Sequence, residues 1–311
     1  MMEIIAEIGS NYHIREDCLA SIKKAKLAGA DVAKFQLFTH EELYGFPQPA
    51  GSPDGGQYLP RDIIPDLKAF ADRCEIEFMC TPFSVDGIDF LDPYVRRFKV
   101  ASSNLLHYEM LERLNEIKKP VILSTGGHYI SQAVVAAGML KDCDVTVMYC
   151  VADYPARYIN FFKMLKLMEH FPKVGYSDHS EDILNIPMMA KTYGAVILEK
   201  HVNFTNWNDT PDAPHSLSGD EFKLMVNNLK GREVPIEFGE DKMRSHWKVR
   251  CIAIKGIECG EKLEYGTNFG IFRSKRLDIF GLNPLEADLL NGKQTNRAYC
   301  RGDGIGLNGV E

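Results

Sequence analysis

The chain has 311 residues, and 36 Lys and Arg against 43 Asp and Glu leave a formal charge of −7. That size predicts one large domain, or one large and one small. A hydrophobic share of 45% with 25% charged residues excludes disorder as the main state. The acidic balance argues against nucleic acid or an anionic membrane as the main partner, and no apolar run reaches the roughly 20 residues of a membrane span.

The start, Met1-Met2-Glu3-Ile4-Ile5-Ala6-Glu7, lacks the basic segment of a secretory leader. Eight cysteines, without any C-x-x-C pair, suit reduced thiols and a cytoplasmic location. Short apolar runs follow at 4–8, 32–38, 77–80, 97–100, 120–124, 145–149, 173–177 and 196–201. They are rich in Val, Ile and Phe and bounded by turn formers, as buried strands are. Amphipathic stretches lie between them, for example Cys18-Leu19-x-x-Ile22-x-x-Ala25 with Gly29 as a stop, and residues 106–117. Eight strand–helix units in some 230 residues predict a (β/α)8 TIM barrel over 1–231. A doubly wound open sheet is the competing architecture, but the Gly-rich turn expected after its first strand is absent. Residues 232–246 read as a linker. From 247 to 311, alternation and glycines at turn spacing predict a small β-rich domain.

In such a barrel the polar residues at the C-terminal strand ends face the active site. Those ends carry Glu7; Lys34 and Gln36; Thr81; Lys99 and Ser102; Ser124 and Thr125; Tyr154; Ser177, Asp178 and His179; and Glu199, Lys200 and His201. Lysines and hydroxyls at one mouth suit a phosphate and a carboxylate, and two imidazoles on neighbouring strands suit a divalent metal. For His179 and His201 a role as hydrogen-bonded rim residues stands level with ligation. Lys34, Lys99 and Glu7 lie among apolar neighbours, where an unpaired charge is costly, so a solvated role fits them poorly. His40, His128, His170 and His246 show no partner spacing, and Cys80 and Cys150 read as buried thiols rather than nucleophiles.

Several motifs occur in fixed order. They are Ile4-Ile5-Ala6-Glu7-Ile8-Gly9-x-Asn11, Ala30-Asp31-x-x-Lys34-x-Gln36, Thr81-Pro82-Phe83-Ser84, Lys99-x-x-Ser102 and Pro120-x-Ile122-Leu123-Ser124-Thr125-Gly126. Then come Tyr154-Pro155, Gly175-Tyr176-Ser177-Asp178-His179-Ser180, Leu198-Glu199-Lys200-His201 and Pro211-Asp212-x-x-x-Ser216. The chain resembles the sialic acid (N-acetylneuraminate) synthase family of phosphoenolpyruvate-dependent nonulosonate synthases, and its tail resembles that family's antifreeze-like (SAF) domain.

The resemblance implies condensation of phosphoenolpyruvate with an N-acyl mannosamine-type or related amino or deoxy sugar aldehyde. It also implies a divalent ion, Mn2+ with Mg2+ or Co2+ as alternatives, and a domain-swapped homodimer. It makes His179 and His201 the metal ligands. Lys34, Thr81, Lys99, Ser102 and Ser177 would hold phosphoenolpyruvate, and Glu7, Gln36, Tyr154, Asp212 and Arg273 would meet the sugar, Arg273 from the partner's tail. Glu7, Glu199 and Lys34 would be catalytic. The chain departs from the family at Asn11-Tyr12-His13-Ile14, at Ala152-Asp153 and at Arg273-Ser274-Lys275. A lapsed sugar-binding barrel, or another TIM-barrel aldolase or lyase, are the alternatives.

Overall fold

The computed structural model describes residues 2–47, 58–231, 249–273 and 281–311. The expected linker, 232–246, and Ser274 and Lys275 lie outside them. The chain divides into two compact units, Met1–Val234 and Pro235–Glu311.

The first unit is a barrel of eight parallel strands: β1 (Glu3–Gly9), β2 (Val32–Leu37), β3 (Glu77–Pro82), β4 (Phe98–Val100), β5 (Val121–Ser124), β6 (Val145–Cys150), β7 (Val174–Asp178) and β8 (Ile197–Asn203). The ladder runs β3-β2-β1-β8-β7-β6-β5-β4, and its two ends, β3 and β4, pack side by side. The expected runs coincide with these strands to within two residues at either end. Between the strands lie α1 (Arg15–Ala28), α2 (His40–Tyr44), α3 (Ile64–Arg73), α4 (Val85–Leu91), α5 (Tyr108–Ile117), α6 (Ile130–Met139), α7 (Phe161–Met168) and α8 (Asn185–Thr192). After β8 the short β9 (Leu217–Ser218) pairs with it and leads into α9 (Gly219–Leu229). At the start of α1 the Asp17 carboxylate accepts from the backbone N–H groups of His13 and Ile14. Its end is set by Gly29, at φ 89°, a left-handed turn that costs glycine little.

Strand alternation then assigns each side chain to one of two faces. Ile4, Ala6, Ile8, Ala33, Phe35, Phe78, Phe98, Leu123, Val147, Tyr176 and Leu198 belong to the main core shared with the helices. The opposite face points into the barrel, where Ile5, Val32, Met79, Ile122, Met148 and Ile197 form a separate apolar cluster. Each such burial is worth about 1.5–3 kcal/mol, and together these six side chains close the lumen from below. Two positions further along the same strands come Glu7, Lys34, Thr81, Ser124 and Glu199, one layer above that floor.

Lys200 and Asp178 fall on the other face. Their side chains are fully buried and paired at 2.7 Å, and Lys200 also donates to the carbonyls of Ser180 and Asp182. Asp178 in turn accepts from the Ser180 N–H. The pair therefore fastens the loop after β7 and lies outside the lumen.

The second unit has an antiparallel pair, β10 (Val249–Ala253) and β11 (Phe269–Arg273), joined by single bridges elsewhere. Its small core gathers Cys251, Ala253, Ile257, Leu263, Phe269, Leu290, Tyr299 and Ile305.

Lys200→Met should destabilise the barrel by about 3–5 kcal/mol, because it leaves a buried carboxylate unpaired. Lys200→Met combined with Asp178→Asn should recover part of that loss. Urea unfolding measures both, and a single variant as stable as the parent would rule out this role.

Candidate active site

Above the apolar floor lie two lysines and two glutamates, all buried. Lys34 Nζ is 2.6 Å from Glu7 Oε2 and 3.6 Å from Glu199 Oε2, and Lys99 Nζ is 2.6 Å from Glu199 Oε1. The barrel register brings them together: Glu7 is level with Lys34 on β2 and with His201 on β8, and Ser177 is level with Glu199. Hydroxyl and amide donors complete the set. Lys34 donates to Thr81 Oγ1 at 3.2 Å, Gln36 Nε2 to Glu7 Oε1 at 2.6 Å and Ser177 Oγ to Glu199 Oε1 at 3.0 Å.

Charges this deep survive only because they offset one another. Burial raises the Glu7 pKa more than the Lys34 ammonium lowers it. In Glu199 burial is outweighed by Lys34 and Lys99, which hold its carboxyl below the usual range. Burial of Lys34 is likewise outweighed by Glu199 and Glu7, and its pKa rises. The result is one carboxylate held ionised, one disposed to keep a proton, and a charged lysine between them. Ser124 Oγ is buried here without a hydrogen-bond partner among the described residues.

The imidazoles stand beyond this layer. The rings of His179 and His201 are 5.8 Å apart. His179 Nδ1 is 2.7 Å from the Val151 carbonyl, which makes it the donor and leaves Nε2 as acceptor, and the Tyr154 hydroxyl is 3.2 Å from that Nε2. The Tyr154 ring stacks on His179 at 4.1 Å. His201 Nδ1 lies 3.8 Å from Asp212 Oδ2, an oxygen that also accepts from the Ser10 N–H at 2.7 Å. Gly9, at φ 56°, makes this approach feasible, since a Cβ there would stand 2.0 Å from Asp212 Oδ2. Burial and the neighbouring His201 lower the His179 pKa to about 3. Burial, against the pull of Asp212, lowers that of His201 to about 4. Both rings are neutral near pH 7, the form that ligates metals.

Of the residues singled out in sequence, Glu7, Lys34, Gln36, Thr81, Lys99, Ser177 and Glu199 share one hydrogen-bonded network. Tyr154, His179, His201 and Asp212 group beside it, Tyr154 hydrogen-bonded to His179 and His201 Nδ1 3.8 Å from Asp212. Ser102 stands slightly apart, accepting from the Gly126 N–H at 2.9 Å with its Oγ 3.2 Å from Cys150 Sγ. Arg273 ends β11 of the second unit, exposed. The first loop differs from the family pattern without opening the site. Tyr12 is buried against Phe35, Asn11 bonds Val202, Ser216 and Thr210, and His13 Nε2 meets Asp209 at the surface. His215, one turn after Asp212, belongs to the site although no strand or helix periodicity marks it. A cavity of about 730 Å3 opens beside Gln36 and Asp212, walled by Phe38, Tyr44 and Tyr58.

The chain is similar to known proteins in sequence and fold. The NeuB family model matches residues 21–240. An uncharacterized protein of Methanocaldococcus jannaschii is 36% identical over 248 residues, 76% of this chain and 72% of its own. The N,N'-diacetyllegionaminic acid synthase of Campylobacter jejuni is 30% identical over 324 residues, 95% of this chain and 96% of its own. The crystal structure of an N-acetylneuraminic acid synthetase from Leptospira borgpetersenii, in complex with citrate, superposes with a TM-score of 0.69 at 27% identity, covering 78% of this chain and 90% of that one.

The neutral histidines set a pH dependence. Between the ordinary histidine value of 6.5 and the folded values of about 3 and about 4, the unfolded chain holds protons that the folded chain does not. Stability of the metal-free protein should therefore fall as the pH drops through that window. Thermal melts in chelator would show the slope, and His179→Gln combined with His201→Gln should flatten it.

Proposed function

The chain belongs to the NeuB family, and on that premise we propose that it condenses phosphoenolpyruvate with the open-chain aldehyde of an N-acyl mannosamine-type or related amino or deoxy sugar, giving a nonulosonate and inorganic phosphate. The observation that carries this reading is the convergence of Lys34 and Lys99 with two neutral imidazoles in one lumen closed at its floor. Lys34 and Lys99, with hydroxyls from Thr81, Ser102 and Ser177, supply charge-assisted contacts for a phosphate and a carboxylate. Glu7, Gln36, Tyr154 and Asp212 border the space left for the sugar. Both Glu7 and Gln36 exchange their present hydrogen bond for its hydroxyls.

The reaction joins C3 of the enol to the aldehyde carbon and leaves C2 electron-poor. Water adds to C2, and the C–O bond to phosphate then breaks. Glu199, held ionised between the lysines, orients that water and draws its proton. Glu7, whose burial favours the protonated form, passes a proton to the oxygen of the former aldehyde. Lys34, touching both carboxylates, keeps them in register and shields the one from the other.

The residues present fit a divalent ion. His179 Nδ1 is anchored on a carbonyl as metal-bound imidazoles are, and His201 Nδ1 is buried without a hydrogen-bond partner among the described residues. By motif, His179 and His201 would hold it, Mn2+ first among the candidates, and when bound it would polarise the aldehyde oxygen. We further propose that residues 247–311 are an antifreeze-like domain and that the chain forms a domain-swapped homodimer in which Arg273 serves the partner's barrel.

Phosphate release from phosphoenolpyruvate, followed over a panel of N-acyl hexosamines with Mn2+, tests the reaction; no release with any of them would end this reading. Lys99→Met should raise the KM for phosphoenolpyruvate about tenfold or more, with far less effect on the sugar's. A change confined to the sugar would refute the anion clamp. Borohydride should trap no lysine adduct. Co-expressed His179→Ala and Arg273→Ala chains should regain part of the activity that each lacks alone, because one mouth of the mixed dimer then has both groups; no recovery would exclude capping in trans.

A further inference from the structure

Asp212 caps a short 3-10 segment, Ala213–His215, and groups other than the His215 side chain fasten its backbone. Pro214 restricts the turn. The Asp212 carbonyl accepts from the His215 N–H and from Ser216 Oγ, and Ser216 Oγ accepts in turn from Asn11 Nδ2 at 2.7 Å. The side chain at position 215 can therefore change while the turn keeps its course.

That side chain has two neighbours in the site. His215 Nε2 is 3.3 Å from Asp212 Oδ1, and the His215 ring meets the Tyr154 ring at 4.8 Å, edge to face. Asp212 Oδ2 is already committed, since it accepts from the Ser10 N–H at 2.7 Å. The tilt of the carboxylate then depends on what stands at Oδ1. A nitrogen lone pair would be repelled there, so Nε2 carries a proton toward the carboxylate. Tyr154 is half exposed and stacks on His179 at 4.1 Å, so two imidazoles support its ring.

His215 Nε2 is buried and makes no hydrogen bond among the described residues. A buried donor left unsatisfied is costly, and an apolar ring would fill the same space at less cost. Stability does not account for a histidine here, whereas contact with Asp212 and Tyr154 does. Tyr154 follows β6 and Asp212 follows β8, so the two reach the site from different strands and His215 touches both. We propose that His215 is a positioning residue for the sugar: it fixes the Asp212 carboxylate and the Tyr154 ring relative to one another, so that the sugar meets a preformed pair. This rests on the reading above that Asp212 and Tyr154 face the sugar.

The test uses the full chain with Mn2+ and the N-acyl hexosamine that gives the fastest phosphate release. His215→Ala should raise the KM for that sugar about tenfold and leave the KM for phosphoenolpyruvate within about twofold of the parent. Two further variants separate the contacts. His215→Gln keeps a donor for Asp212 and His215→Phe keeps a ring against Tyr154, so each should recover part of the loss. Both also serve if the alanine variant does not fold, which thermal melts would show. An unchanged sugar KM in folded variants, an equal rise in both KM values, or Gln and Phe variants no better than Ala would overturn this role while leaving the synthase reading intact. A parent that releases phosphate with no sugar of the panel would overturn both.

Discussion

Two lysines and two glutamates packed into a barrel above a floor of aliphatic side chains set the terms for everything nearby. Lys34, Glu7, Lys99 and Glu199 are each costly to bury and tolerable only as a group, with charges that sum to zero when both carboxyls are ionised. Their mutual contacts occupy groups that an anionic substrate would otherwise hold. On the proposed function, a phosphate or carboxylate entering the lumen would be exchanged for an internal carboxylate, releasing Glu7 or Glu199 for proton transfer. Binding of the anion and arming of the acid–base pair would then be one event.

The histidine layer obeys a different rule. Its imidazoles are kept neutral by burial and by one another, so ordinary acidity does not occupy their nitrogens. Asp212 is the carboxylate that stands against His201 in this layer, held well below the usual carboxylate range against the effect of burial by His201, His215 and the Ser10 N–H. An anion set beside the neutral ring of His201 is a natural seat for a cation. The lysine layer beneath is cationic where it is not compensated, and the two layers are suited to opposite charges.

Much of this was legible in sequence because a barrel interior contradicts its surroundings. Lys34 between Ala33 and Phe35, or Glu7 between Ala6 and Ile8, is visible as a polar residue in an apolar run, and alternation says which way it faces. The same rule separates Lys200 and Asp178 from Glu199 and Ser177, which simple position at a strand end does not. His215 was hidden because it lies in the loop Pro211 to Ser216, where no period exists and proximity to His201 arises from the path of the chain after β8. The first loop was misleading in the opposite sense: Tyr12, a departure from the family pattern next to polar residues, is a core side chain packed against Phe35. Small β-rich segments such as the tail give weak signals, since single bridges between short stretches leave no regular pattern to read.

The closed floor of the barrel has a kinetic corollary. Ile5, Val32, Met79, Ile122, Met148 and Ile197 plug the lumen beneath the charged layer. On the proposed roles, a molecule clamped by Lys34 would lie one layer below Gln36, two residues further along β2, so a sugar seated at that upper level would stand on top of it. The barrel would then behave as a stack, in which the compound bearing the anionic groups is loaded first and its remnant is the last to be let out.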